Sequence, residues 1–219
     1  MGNNTPQVLR SGTDWRTLRF YQKADALYQM TFVFCKRFLP AYGVRTVDQM
    51  VQAARSGKQN IVEGKEDGLT STEMELKLLN VARSSLQELR QDYEDYLHTH
   101  GLNLWRNSHP RYNALVTFCR LHNNYADYAP FVNKWTAEEF CNTALSLCHI
   151  TDWMMCRYLG YMQKRFVTEG GIKERMYAAR TGYRKEQDRM MQALKEENAT
   201  LKAEVARLKK LLEDRQKEE

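Results

Sequence analysis

Thr136–Met162 reads TAEEFCNTALSLCHITDWMMCRYLGYM, and this stretch decides the fold. Phe140, Ala144, Leu147, Thr151, Met154 and Tyr158 recur at three- and four-residue steps, the period of one helical face. Cys141, Leu145, Cys148, Trp153, Met155, Leu159 and Met162 widen that face over most of the circumference. An outer bundle helix buries a narrower stripe. This helix, from Thr136 to about Thr168, is therefore either central in its fold or shared with another subunit. It does not cross a membrane: Asn142, His149, Asp152 and Arg157 interrupt the apolar run, and a span needs about 20 residues.

Three further helices precede it. Phe20, Ala24, Leu27, Thr31, Phe34 and Phe38 form one face of a first helix, begun at Thr13 or Asp14 and ended by Pro40 and Gly43. A second runs from Val44 to Gly64, with Val47, Met50, Val51, Ala54, Ile61 and Val62 on one face. Gly57 interrupts it, at about 1 kcal/mol against Ala, unless the missing side chain permits close packing. Thr70 with Glu73 fits a capping box for a third helix, whose stripe is Met74, Leu78, Ala82, Ser85, Leu89, Tyr93 and Tyr96. Leu102 to Lys134 is irregular, and Pro110 and Pro130 bracket a short helix near Arg111–His122. So long a connection in a compact bundle packs or functions.

After Gly170-Gly171 comes a basic segment with Lys173, Arg175, Arg180, Arg184 and Lys185. Then Met191, Leu194, Asn198, Leu201, Val205, Leu208 and Leu212 alternate at spacings of three and four, the a/d seam of a coiled coil. Asn198 at an a position favours in-register parallel pairing, most often two-stranded. Residues 204–212 resemble the leucine zipper of basic-zipper transcription factors, from which only self-association is carried over. The expected architecture is all-α: a flexible arm (1–12), an antiparallel four-helix bundle (13–169), a basic segment (170–185) and a coiled coil (186–219).

Composition sets the remaining bounds. Gly (11) and Pro (4) are scarce among 219 residues, which argues against turn-rich β architectures. The five cysteines are an odd number set in apolar helical patterns, which points to free thiols in a reducing, cytoplasmic compartment. The first fourteen residues have no apolar core of a signal peptide. The net charge is +6; residues 1–185 carry 25 Lys and Arg against 18 Asp and Glu, and the tail is about neutral. That balance suits an anionic partner.

The stretches Arg55-Ser-Gly-Lys-Gln-Asn-Ile-Val-Glu-Gly64 and Ala82-Arg-Ser-Ser-Leu-Gln-Glu-Leu89 carry a family signature. Asn60–Gly64 matches Asn-Ile-x-Glu-Gly, and Ala82–Leu89 matches Ala-x-x-Ser-Leu-x-Glu-Leu. The chain thus resembles the four-helix-bundle family of proteins encoded in intervening sequences of large-subunit ribosomal RNA genes, over about Trp15 to Leu97 and by pattern in the fourth helix. Gly170–Tyr177 looks like the C-terminal suffix of longer bacterial members. The resemblance implies a helical bundle assembling into a ring, often a pentamer. It also implies kinship with the accessory protein of diversity-generating retroelements, which contacts RNA and a reverse transcriptase. Val51 and Gln52 depart from the paired arginines of typical members, and Gly57 and Lys58 from their Ser-Ile-Pro run.

No phosphate-binding Gly-rich loop occurs, and no nucleophile–base pair stands out. Glu138-Glu139 belongs to a helix first turn, where the dipole favours acids. Cys141, Cys148, His149 and Cys156 do not make a zinc site, since two helical turns separate the first two by about 10 Å. The expectation is a non-enzymatic protein without a cofactor or metal. Arg16, Arg19, Lys23, Arg83, Arg90, Lys164, Arg165, Lys173, Arg175, Arg180, Arg184 and Lys185 are the candidate contacts to RNA or DNA phosphates, with Tyr161, Tyr177 and Tyr183 placed to stack on bases. The alternative is a scaffold that binds a protein partner through the bundle or coiled coil.

Overall fold

A computed structural model describes residues 12, 14–39 and 45–216, with the backbone alone for residues 169 and 211–216. The N-terminal arm up to Ser11, Thr13, Pro40, Gly43, Val44 and the side chain of Leu212 lie outside that description. The described residues form seven α-helices and no strand: α1 (Arg19–Phe38), α2 (Arg45–Asp67), α3 (Thr72–Thr99), α4 (Tyr112–Leu121), α5 (Tyr125–Val132), α6 (Ala137–Glu169) and α7 (Ile172–Gln216). They divide into two units, one up to Ile172 and one from Lys173 onward.

In the first unit α1, α2, α3 and α6 surround one core in which Leu27, Met30, Phe34, Ile61, Leu86, Leu89, Tyr93 and Phe140 are buried. Neighbouring helices run in opposite directions. Between α1 and α2, Trp15 (in a 3-10 turn before α1) bonds Glu66 while Asp25 pairs with Lys58. Between α2 and α3, Lys65 pairs with Glu75 and Ser56 bonds Ser85. Between α3 and α6, Tyr158 bonds Glu75 and Arg83 pairs with Asp152.

The helix ends differ from the expected ones. Asp14 caps the 3-10 turn through Arg16 N at 3.0 Å, and α1 starts only at Arg19. The cap of α3 is Ser71, which accepts from Met74 N at 3.2 Å, rather than Thr70. On α3 the buried position is Glu75 and not Met74, because Lys65 and Tyr158 meet the carboxylate at 2.7 and 2.8 Å. α2 continues past Gly64 to Asp67. Asn60 is thus mid-helix: its amide donates to Ser56 O at 2.9 Å and caps nothing. Gly57 serves close packing, since a Cβ there would meet Leu86 Cδ2 at 2.7 Å.

The irregular connection explains why α6 is apolar all round. Residues 140–148 are buried in unbroken succession. α3 and α1 cover the inner faces, and α4 packs on the outer one. The neighbour that α6 asks for comes from its own chain. The connection also contains a second helix, α5, with Pro130 inside it rather than beyond it.

Two cations on α1 hold these short helices. Lys23 is fully buried, and its ammonium donates to Cys119 O and to His122 O, the carbonyl end of α4. Arg37 donates to Val132 O and, at 2.9 Å, to Trp135 O, at the carbonyl end of α5. The last carbonyls of a helix lack partners within it and carry its negative dipole end, so a cation is the fitting cap.

Candidate nucleic-acid interface and assembly seam

The basic residues singled out by sequence fall into three groups. Lys23 leaves the set. It is spent on the α4 carbonyls, and burial pulls its ammonium down to about 8. Arg16, Arg83 and Arg90 are engaged within the bundle: Arg16 lies over the Trp15 ring and beside Asp14, Arg83 pairs with Asp152 at 2.8 Å, and Arg90 stands 3.4 Å from Glu94. Arg19 and Lys164 are exposed, and Arg165 is half-buried. These residues lie on the 3-10 turn, α1, α3 and α6, and Arg16, Arg83 and Arg90 spend their charge on partners within the bundle.

The third group lies on α7. Lys173, Arg180, Arg184 and Lys185 are exposed and Arg175 half-buried along the first turns of a helix that continues unbroken through the seam. Sequence reading ends the basic segment at Lys185 and starts the coiled coil at Glu186; the structure has no break there. Gly170, at φ +72°, ends α6 and separates it from α7. Met191, Leu194, Leu201, Val205 and Leu208 are each 50–57% exposed, an apolar row on a helix that buries none of them. Asn198 is exposed in the same row.

Extending the heptad backwards gives the α7 register its meaning. The a and d positions before Met191 are Gln187, Arg184, Arg180, Tyr177 and Lys173. The flanking g positions are Glu197 and Glu204, and the e positions are Lys195, Lys202 and Lys209. In a parallel pair, Glu197 faces the partner's Lys202 and Glu204 the partner's Lys209; an antiparallel pair would oppose like charges.

A second surface, missed by sequence reading, lies on the bundle. A cleft of about 770 Å³ opens between α3, the loop after it, α4 and α6. Trp105, Arg106, Tyr112, Arg120, Ile150, Trp153 and Met154 are among the residues that line it. The loop is tied to the first turns of α6: Trp105 N donates to Asn142 Oδ1 at 2.7 Å and Trp105 Nε1 to Glu138 Oε1 at 2.8 Å. The bond from Asn103 N, then that from Trp105, hold the Glu138 carboxyl below its ordinary range. Glu139 completes the Thr136 capping box and pairs with Arg111. The paired acids are thus structural. His149, also lining the cleft, titrates below its usual value because of burial and the nearby Arg90, so it is neutral at pH 7. The sequence signal was there in Trp105-Arg106 and in Trp153 with Arg157 one turn on.

All five cysteines are free; Cys35, Cys119, Cys141 and Cys148 are buried and Cys156 is exposed. Among the described residues no three His, Cys, Asp or Glu side chains gather as a metal site, and no helix is long and apolar enough to cross a membrane. Comparison with protein-family models, curated proteins and solved structures gave no match.

Proposed function

We propose that this chain is a non-enzymatic, self-associating module that binds nucleic acid through phosphates. The observation that carries the reading is the register of α7. From Met191 onward its a and d positions are apolar apart from Asn198, so two copies gain by pairing there. Upstream, the same register sets Arg184 against Arg184 and Arg180 against Arg180 across the pair axis. Like charges at a seam repel, so the helices part and present two cationic arms to a polyanion. Contacts of this kind read charge rather than sequence.

The family resemblance lends support from packing. Its two motifs meet each other across α2 and α3: Ala82, Ser85, Leu86 and Leu89 are buried, with Leu86 against Gly57 and Ser85 against Ser56. In that reading the bundle is an accessory subunit of a bacterial nucleoprotein, working in the reducing cytoplasm. The pairing preference of α7 favours a dimer over the ring of the resemblance.

The test is filter binding of structured RNA and of duplex DNA at 50 and 200 mM salt, with the full chain. Replacing Arg180, Arg184 and Lys185 together by Gln removes six charges from a dimer, which lowers the log–log salt slope by about 5 for duplex DNA. Leu201→Asp, which breaks pairing, weakens binding as well. No affinity at low salt, or an unchanged slope in the triple variant, sinks the proposal. A second reading, a scaffold whose seam takes the helix of another protein, rests on the same exposed row. It is favoured if a protein partner is lost with Leu201→Asp while nucleic acid never binds.

A further inference from the structure

The cleft on the bundle is a place where a ligand's chemistry is written independently of α7. We infer that it binds a small organic anion with a flat apolar body: an aromatic carboxylate or phosphate.

Three observations meet here. The first is size. A volume of about 770 Å³ falls within the range of small-molecule sites, about 300–1,000 Å³. The second is the division of chemistry. Trp153, Tyr112, Ile150 and Met154 offer apolar and aromatic surface, and Trp153 keeps 57% of its surface exposed. A large aromatic half open beside a concavity offers a surface on which a flat ligand can stack. Arg157 sits one turn on, with its guanidinium 5.0 Å from the Trp153 ring centre.

The third observation is charge. Arg106 and Arg120 line the same cleft, and neither side chain has an ion pair or hydrogen bond with any described residue. Most other bundle arginines described are paired: Arg83 with Asp152, Arg111 with Glu139, Arg37 with carbonyls. Glu94 is the one acid on the cleft wall, and Arg90 stands beside it. His149 adds no positive charge at neutral pH. Two unpaired guanidinium groups over an apolar floor fit an anionic head on an apolar body. The site is also built rather than incidental. Trp105 and the loop that carries Arg106 are pinned by Asn142 and Glu138, so the wall exists before a ligand arrives and little ordering is needed on binding.

The site chemistry also excludes neighbouring classes. A neutral apolar ligand would leave both guanidinium groups without a role. A bare inorganic anion would leave Trp153 and Tyr112 unused, and exposed arginines alone hold such ions weakly.

The probe is 2-naphthoate, followed by quenching of tryptophan fluorescence and by calorimetry on the full chain. Its uncharged analogue 2-naphthamide and inorganic phosphate serve as comparison ligands. The naphthoate binds at least tenfold more tightly than the naphthamide, and phosphate alone binds weakly. Arg106→Gln and Arg120→Gln each cost naphthoate about tenfold, as expected for one lost charge-assisted contact, and leave naphthamide unchanged. Both positions are exposed, so the variants keep the wild-type melting temperature. Trp153→Ala weakens both aromatic ligands. Equal affinity for naphthoate and naphthamide, or naphthoate binding unaffected by both arginine substitutions, overturns the inference. So does displacement of naphthoate by a single-stranded RNA oligomer at stoichiometric amounts, since the cleft would then belong to the nucleic-acid surface. Failure of the α7 variants to alter nucleic-acid binding has no bearing on these results.

Discussion

Replacing Lys23 by Met removes the cation that closes the carbonyl end of α4. Met is similar in length and apolar, so the change isolates the ammonium. Two carbonyls, of Cys119 and His122, lose a buried donor, at about 1–3 kcal/mol each. Against this, the protein no longer holds a charge out of water. The depression from 10.5 to about 8 sets that cost at about 3 kcal/mol. Near neutral pH the two nearly offset, and the expected net loss is about 1–2 kcal/mol. The pH dependence is more telling. Because the folded value lies below the unfolded one, the unfolded chain holds more protons between about 8 and 10.5. The lysine's contribution to stability therefore grows as pH rises through that window. By about pH 9.5 the wild type gains about 2 kcal/mol that the variant cannot, and the gap widens to about 3–4 kcal/mol. Cys119, the thiol coupled to Lys23, is pushed up to about 12 and stays protonated over this range, and the other buried thiols and tyrosines titrate alike in both proteins. The assay is urea unfolding of both proteins at pH 7, 8, 9 and 9.5, read by far-UV circular dichroism. A gap that stays flat or narrows with pH refutes the lowered ammonium and shows that the two carbonyls outweigh the cost of burial. Nucleic-acid affinity should be the same in both, because Lys23 cannot reach a phosphate.

Other perturbations follow from the packing. Gly57→Val drives two methyls into Leu86, whose Cγ and Cδ2 already lie within 2.8 Å of a Cβ position; a loss of about 2 kcal/mol in urea unfolding is expected. Glu75→Gln leaves Lys65 nearly buried without its countercharge, at about 2 kcal/mol, and unchanged stability would mean that the carboxylate is not the partner. Of the five thiols, Cys156 alone is exposed, and burial pushes Cys35, Cys119, Cys141 and Cys148 up to about 11 or beyond. A thiol-reactive disulfide at pH 8 should label one cysteine quickly in the folded protein and all five in urea.

What could be read from the residues was whatever repeats along a single helix. The stripes of α1, α2 and α6 and the exposed apolar row of α7 follow a period that neighbours in sequence reveal. What escaped was set by partners far along the chain. Glu75 enters the core, in place of Met74, because Lys65 and Tyr158 await it. α5 forms despite Pro130, a residue that removes a backbone donor. It is eight residues long, its Asn124 N bonds Asp127 at 3.1 Å, Tyr128 and Val132 are buried, and Arg37 closes its end. The candidate basic residues were chosen by charge, and charge does not tell an exposed lysine from one spent on carbonyls. The Arg106 and Arg120 cleft was hidden because its walls come from four separate segments.

The two caps on α1 also bear on the order in which the bundle assembles. Lys23 and Arg37 reach carbonyls 96 and 95 residues away. The α2–α3 hairpin needs only a four-residue turn, so it is expected to form early, with α1 and α6 joining it. Residues 102–134 pack against α1 and α6, so they dock once those helices are in place. The same logic holds in reverse. This segment is the first that should detach as a cooperative unit, uncovering the outer face of α6 while the inner packing persists. Amide exchange would register that event as fast exchange in α4 and α5 together, well before α3. A protein built this way can lift one wall of its cleft without surrendering the rest of its fold.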